Sequence, residues 1–181
     1  MKTRLSLIIA IVAMFSLPAQ ASAALAIGSQ APDFTTNGAL AGKVFKLHLA
    51  EQLKKGPVVL YFFPAAFTPG CTIEAHEFAE ATPEFKKAGA TVIGLSADPI
   101  EKLKKFSVEE CRNKFAVASA SPKMITGYDV KLAQRDGLSN RTSYVIAQNG
   151  RIAFVHSDLS PSDHVKTTLA AVKSLGGKAA D

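Results

Sequence analysis

One stretch constrains this chain more than any other: Val58 to Glu74, VVLYFFPAAFTPGCTIE. Val58 to Phe63 are apolar without a break, which predicts a strand buried on both faces. A turn bracketed by Pro64 and Pro69-Gly70 follows, and a helical pattern starts at Cys71. The cysteine therefore falls where a buried strand hands over to a helix. A helix N-terminus presents unpaired N–H groups and a partial positive charge, and both favour a thiolate. Thr68, three residues before the cysteine, offers a hydroxyl, and Gly70 and Cys71 offer backbone N–H groups. A free cysteine is also commonly a small buried hydrophobe. Position and neighbours favour the other reading, with Cys71 as the reactive centre.

The N-terminus reads as a leader rather than as part of the domain. Lys2 and Arg4 precede an apolar run, Leu5 to Leu17, which Pro18 ends. Ala21-Ser22-Ala23 then matches a small-x-small cleavage site. A membrane anchor is the competing reading, but a span needs roughly 20 apolar residues. We therefore expect a signal peptide over residues 1–23, one domain over 24–181, and export, with a periplasmic location and no membrane attachment after cleavage. Loss of Lys2 and Arg4 takes the formal charge from +6 to +4. The paired lysines, such as Lys86-Lys87 and Lys104-Lys105, fall late in helical or turn patterns, where they complement a helix C-terminus. No basic stripe interleaved with aromatics is present, so nucleic-acid binding is not expected.

Along the chain, Ala31-Pro32-Asp33-Phe34 opens the domain. Short strands over 34–36 and 44–47, punctuated by Asn37-Gly38 and Gly42, predict an N-terminal hairpin. A short helical segment is expected over 48–55. After the central strand, a helix is expected from Cys71 to Ala88, with Ile73, Phe78, Ala81 and Phe85 inward and a kink at Pro83. A second buried strand spans 91–96. Asp98-Pro99 reads as a helix start, Asp98 as the cap, with the helix running to about Asn113. A third strand (115–118), a helix (122–130) and a polar loop (131–140) come next. Strands over 142–147 and 151–156 flank Asn149-Gly150, a strong hairpin signal. A last helix, 161–175, carries Val165, Leu169, Val172 and Leu175 on one face and ends at Gly176-Gly177. Alternating strands and helices indicate an α/β domain with parallel central strands and an antiparallel hairpin at one edge.

The chain has two cysteines, Cys71 and Cys111. Forty residues apart, they make neither a CxxC redox motif nor a zinc ribbon. In an exported protein they are open to a structural disulfide. The histidines (His48, His76, His156, His164) show no metal spacing, and no cofactor or metal is expected. Asn140-Arg141-Thr142 matches a glycosylation sequon but leads into a strand, and is read as chance.

Pro64-x3-Thr68-x2-Cys71, as TPGCTIE, resembles the active-site signature of peroxiredoxins in the AhpC/TSA family, and most of all the PrxQ, or bacterioferritin-comigratory-protein, subgroup. The likeness covers nearly the whole chain after the leader, including Ala31-Pro32-Asp33-Phe34, Arg141-Thr142-Ser143-Tyr144-Val145-Ile146 and Asn149-Gly150-Arg151-Ile152. It implies a thioredoxin-like fold, a central mixed sheet flanked by helices, and thiol-dependent reduction of hydrogen peroxide and organic hydroperoxides. It implies that Cys71 is the peroxidatic cysteine, that Pro64 shields the site, and that Thr68 hydrogen-bonds sulfur and peroxide. Arg141 matches the arginine that stabilises the thiolate and polarises the peroxide, and Glu74 the glutamate that holds that arginine. Gly70, with Thr68 and Arg141, would bind substrate. The subgroup's resolving cysteine, five residues after the first in many members, is here His76. Others carry it in the following helix, which leaves Cys111 as the resolving candidate through a Cys71–Cys111 disulfide. The implied reductant is a thioredoxin-like protein or a small thiol. A one-cysteine peroxidase resolved by an outside thiol and a thiol–disulfide exchange protein are the alternatives. Monomer is the expected state, with a dimer as the variant.

Overall fold

The computed structural model describes residues 24–177; the expected leader lies outside the described residues. The elements follow in the order β1 (Thr35–Leu40), β2 (Lys43–His48), α1 (Leu49–Leu53), β3 (Val58–Phe62), α2 (Pro69–Lys87), β4 (Thr91–Ser96), α3 (Ile100–Glu109), β5 (Ala116–Ser119), α4 (Pro122–Gly127), β6 (Thr142–Ile146), β7 (Ile152–Ser157) and α5 (His164–Gly177). Seven strands form one mixed sheet in the order β2-β1-β5-β4-β3-β6-β7. β3, β4 and β5 run parallel, and both outer pairs are antiparallel. A hairpin therefore closes each edge, not one alone.

β3 is buried at every position. The pleat sends Val58, Leu60 and Phe62 to one face, where they meet Ile93, Leu95, Met124, Tyr128 and Tyr144. Val59, Tyr61 and Phe63 point to the other face and pack with Phe78, Phe85, Phe106, Val117 and Val172. Both cysteines belong to this second layer, under α2, α3 and α5. Gly94 on β4 makes room for a neighbour's ring: a Cβ there would lie 2.8 Å from Cζ of Tyr61.

Several local expectations are corrected. Asn37-Gly38 lies within β1, and of the two expected turn positions only Gly42 is at the hairpin, which turns at Ala41-Gly42, both with positive φ (49° and 75°). Pairing decides this, because β1 is held by β2 on one side and β5 on the other. Pro83 lies inside the span of α2. The inward stripe of this helix is Cys71, Glu74, Ala75, Phe78, Thr82 and Phe85, while Ile73 is 50% exposed. Asp98 is not a helix cap; Pro99 occupies that position and no side chain caps α3. α3 stops at Glu109 because Arg112 and Asn113 adopt left-handed φ values of 49° and 59°. α5 begins at His164, after Asp163 at φ 67°, and runs through both glycines that were expected to end it. Its most buried stripe is His164, Thr168 and Val172, four residues apart.

Candidate active site

The site lies where β3 ends and α2 begins, and its loop is fixed before any ligand arrives. The Phe63 amide donates to Leu95 O at 2.9 Å, and the Ser139 hydroxyl donates to Phe63 O at 2.9 Å. The Ala66 amide donates to Asp98 Oδ2 at 2.6 Å. Asp98 is in turn bound by the Ser96 hydroxyl and by Lys102 Nζ. Burial alone would raise this carboxyl, but these donors hold it below the ordinary carboxylate range. Phe67 sits at φ 65°, a left-handed conformation that disfavours a bulky residue, and its ring stacks edge-on against Phe106 at 5.2 Å. Asp98 thus ties down the loop. Its sequence signal, Asp-Pro before a helix, pointed to a cap instead.

Thr68 is the N-cap residue of α2, with extended φ and ψ (−87°, 149°). Its hydroxyl donates to Ala65 O at 2.9 Å, and neither caps the helix nor donates to the Cys71 sulfur. The first intrahelical bond of the turn is Thr72 N–H to Thr68 O at 2.9 Å. The Gly70 and Cys71 amides therefore lie ahead of the helical ladder. Pro64 is half-buried beside this turn. Cys71 is 2% exposed and is a free thiol.

Arg141 reaches this sulfur from just before β6, seventy residues along the chain. Its Nη2 lies 3.5 Å from Cys71 Sγ, its Nη1 donates to Glu74 Oε2, and its Nε donates to Leu159 O at 2.9 Å. The approach is close enough that a Cβ on Gly70 would sit 3.1 Å from Nη2, so glycine there serves the arginine's position. Arg141 is 5% exposed and Glu74 fully buried. Burial pushes the Glu74 carboxyl up to about 8, against the pull of the guanidinium. Burial works to lower Arg141, but Glu74 and Cys71 beside it raise it on balance.

The expected residues Cys71, Thr68, Gly70, Glu74 and Arg141 thus converge, with Pro64 at the rim. Cys111 stands apart from this group. It follows α3, is fully buried and is a free thiol, with its amide donating to Phe106 O at 3.0 Å. Burial, and secondly the Glu110 charge, push this thiol well up. The segment around it is clipped to α2 by His76–Glu110 at 2.7 Å and Arg112–Glu80 at 3.0 Å. His76 is therefore paired, not simply solvated. Two residues of the site were missed in the sequence, Ser143 and His164. The available signal was His164 at the head of the 164–168–172 stripe, a polar residue on a buried helix face.

This arrangement, a sulfur between a helix N-terminus and a buried guanidinium, suits attack by a thiolate on a small polar oxygen compound. The sequence model of the AhpC/TSA family matches residues 27–155. Peroxiredoxin Q, chloroplastic, of Oryza sativa subsp. japonica is 34% identical over 149 residues, covering 82% of this chain and 67% of that protein. Its counterpart from Sedum lineare is 34% identical over 149 residues, covering 82% and 78%. The crystal structure of Peroxidoxin BcpB from Mycobacterium tuberculosis superposes with a TM-score of 0.74 at 32% identity, over 82% of this chain and 97% of that one. A shared fold, a family match over most of the chain and a cysteine–arginine site at the signature position lead to one identification: this chain belongs to the AhpC/TSA family and is a PrxQ-like peroxiredoxin, a thiol-dependent peroxidase.

Proposed function

We propose that Cys71 is the peroxidatic residue and that Arg141, Thr68 and the first amides of α2 form its peroxide pocket. The observation that carries this reading is the guanidinium Nη2 at 3.5 Å from Sγ at a helix N-terminus. The thiolate attacks one peroxide oxygen, a new S–O bond forms and the O–O bond breaks. Two electrons pass from sulfur to the peroxide, and the departing oxygen takes a proton to leave as water or alcohol. Cys71 becomes a sulfenic acid. Because the Thr68 hydroxyl donates its hydrogen to Ala65 O, its oxygen acts toward the peroxide as an acceptor of the peroxide O–H. Arg141 and the Gly70 and Cys71 amides stabilise charge on the departing oxygen. A thiol then condenses with the sulfenic acid, releasing water and forming a disulfide, and a second thiol frees Cys71.

Cys111 supplies that first thiol after a local opening. Both sulfurs are buried in the same layer, and the His76–Glu110 and Arg112–Glu80 contacts hold the Cys111 segment closed. The left-handed pair Arg112-Asn113 is the place where the segment leaves α3 and can swing. Mass spectrometry after one equivalent of hydrogen peroxide tests both parts. The expected products are a Cys71–Cys111 disulfide in the wild type and a dimedone-trappable sulfenic acid on Cys71 in Cys111→Ser. Glu110→Gln, which weakens the clip, speeds disulfide formation. Absence of oxidation at Cys71 removes the peroxidatic assignment. A wild type that stops at the sulfenic acid removes Cys111 from the cycle and leaves resolution to an outside thiol.

Export is the second element of this proposal, supported by the basic start, the apolar run and Ala21-Ser22-Ala23. N-terminal sequencing of protein recovered from the host's extracytoplasmic fraction is expected to begin at Ala24. An intact Met1 in the cytoplasm defeats it.

A further inference from the structure

Behind Arg141 the buried polar chain continues. Glu74 uses Oε2 for the guanidinium, while its Oε1 is buried with no hydrogen-bond partner. That oxygen lies 3.7 Å from Nδ1 of His164, a fully buried residue in the first turn of α5. The imidazole is fixed at both ends. Nε2 is 3.0 Å from the Asp158 carbonyl, which can only accept, so the proton resides on Nε2. Nδ1 then carries a lone pair, and the Ser143 hydroxyl at 2.8 Å donates to it. Burial pulls the imidazole down to about 4, which keeps this neutral form at neutral pH. The titratable and charged groups facing the ring are Glu74 from α2, Arg141 ahead of β6, His156 from β7 with ring centroids 4.4 Å apart, and Asp158 in the following loop. That loop also binds Arg141, through Leu159 O. Two adjacent carbonyls thus orient both the imidazole and the guanidinium.

The consequence lies in what the ring withholds. With its Nδ1 lone pair taken by Ser143 and its only N–H turned to Asp158, His164 presents no hydrogen to Oε1. The contact between Glu74 and Arg141 remains one oxygen to one nitrogen. Carboxylates tend to grip guanidinium with both oxygens, and a two-point grip would take Nη2 away from sulfur. We propose that His164 is a positioning residue for the chemistry at Cys71: packed against Oε1, its ring holds Glu74 to Nη1 of Arg141 and leaves Nη2 for the cysteine sulfur. This rests on the peroxidase reading.

The test is peptide-resolved alkylation of Cys71 by iodoacetamide at pH 9, where the Glu74 carboxyl, pushed up to about 8, carries its charge, beside the rate of hydrogen peroxide consumption. His164→Ala removes the ring that packs against Oε1. Its alkylation rate is expected to fall about fivefold and its peroxide rate about tenfold. His164→Leu, which fills the position and likewise offers no hydrogen to Oε1, stays within about threefold of wild type in both. In a Glu74→Gln background His164→Ala has no further effect, because the histidine acts through that carboxylate. An equal loss in that background, or unchanged alkylation in His164→Ala, overturns the proposal. Should His164→Ala fail to fold, Ser143→Ala carries the test: it releases the ring and slows alkylation about threefold, and an unchanged rate overturns the proposal. Loss of the peroxidase reading is seen separately, as a wild type that consumes no peroxide through Cys71, while alkylation still decides the role of His164.

Discussion

Cys71→Ser abolishes peroxide reduction, with a loss of at least about a thousandfold, while the fold persists. The two side chains are nearly isosteric, and the site already holds a donor, Arg141 Nη2, for a buried hydroxyl. The stability change is accordingly about 1 kcal/mol. The rate change is large because a hydroxyl does not ionise under conditions that ionise a thiol, and the thiolate is the nucleophile. The measurement is peroxide consumption with thiol reductant in excess, beside thermal unfolding. Activity within tenfold of wild type in Cys71→Ser would move the reaction to another group and remove the basis of the mechanism.

Arg141→Met is the second large effect, and it acts on stability and chemistry together. The variant strands Glu74, fully buried, without the cation that compensates it. Above a pH of about 8, where Glu74 is ionised, breaking such a pair from one side costs about 3–5 kcal/mol. Removal of one preorganised donor from the reacting centre lowers the rate about a hundredfold or more. Arg141→Met combined with Glu74→Gln is expected to recover most of the stability and none of the rate. Recovery of the rate in the double variant would show that Arg141 does not act on the sulfur. Glu74 also leaves a signature in pH. Its folded-state value, about 8, lies above the ordinary 4.5. The folded protein therefore holds this proton more tightly than the unfolded chain. The stability it contributes is fully present below about 4.5 and is lost as pH rises to about 8. Denaturant midpoints at pH 5 and pH 9 should fall less in Glu74→Gln than in wild type. Equal slopes would mean that this carboxyl is not the group responsible.

The site divides into a part that local sequence exposes and a part that it does not. Cys71 was visible because a continuous apolar strand, a proline-bracketed turn and a helix start fall within seventeen residues, and backbone chemistry there acts over one turn. Arg141 and Glu74 were reached only through resemblance. Either, taken alone, reads as a surface ion pair or a helix-end charge. The helix face was misplaced by about one position: Ile73 was expected inward, yet Ile73 is half exposed and the buried position beside it belongs to Glu74. An apolar residue seeks burial only until a buried partner for a charge exists, and that partner, Arg141, comes from just before β6. Asp98 was misread and His164 missed for the same reason, since each completes a loop or strand distant in sequence.

By itself, the sequence determined the alternation of strands and helices, the buried central strand and the place of Cys71 where that strand hands over to a helix, because these rest on periodicity and on local turn residues. Tertiary structure alone decided which charges meet at the sulfur, that the Cys111 segment is tied to α2 by His76–Glu110 and Arg112–Glu80, and that His164 stands behind Glu74. Such contacts link residues 32 to 90 positions apart in the chain. They exist only once the sheet has set β3 beside β6 and laid α2 and α5 across the same face.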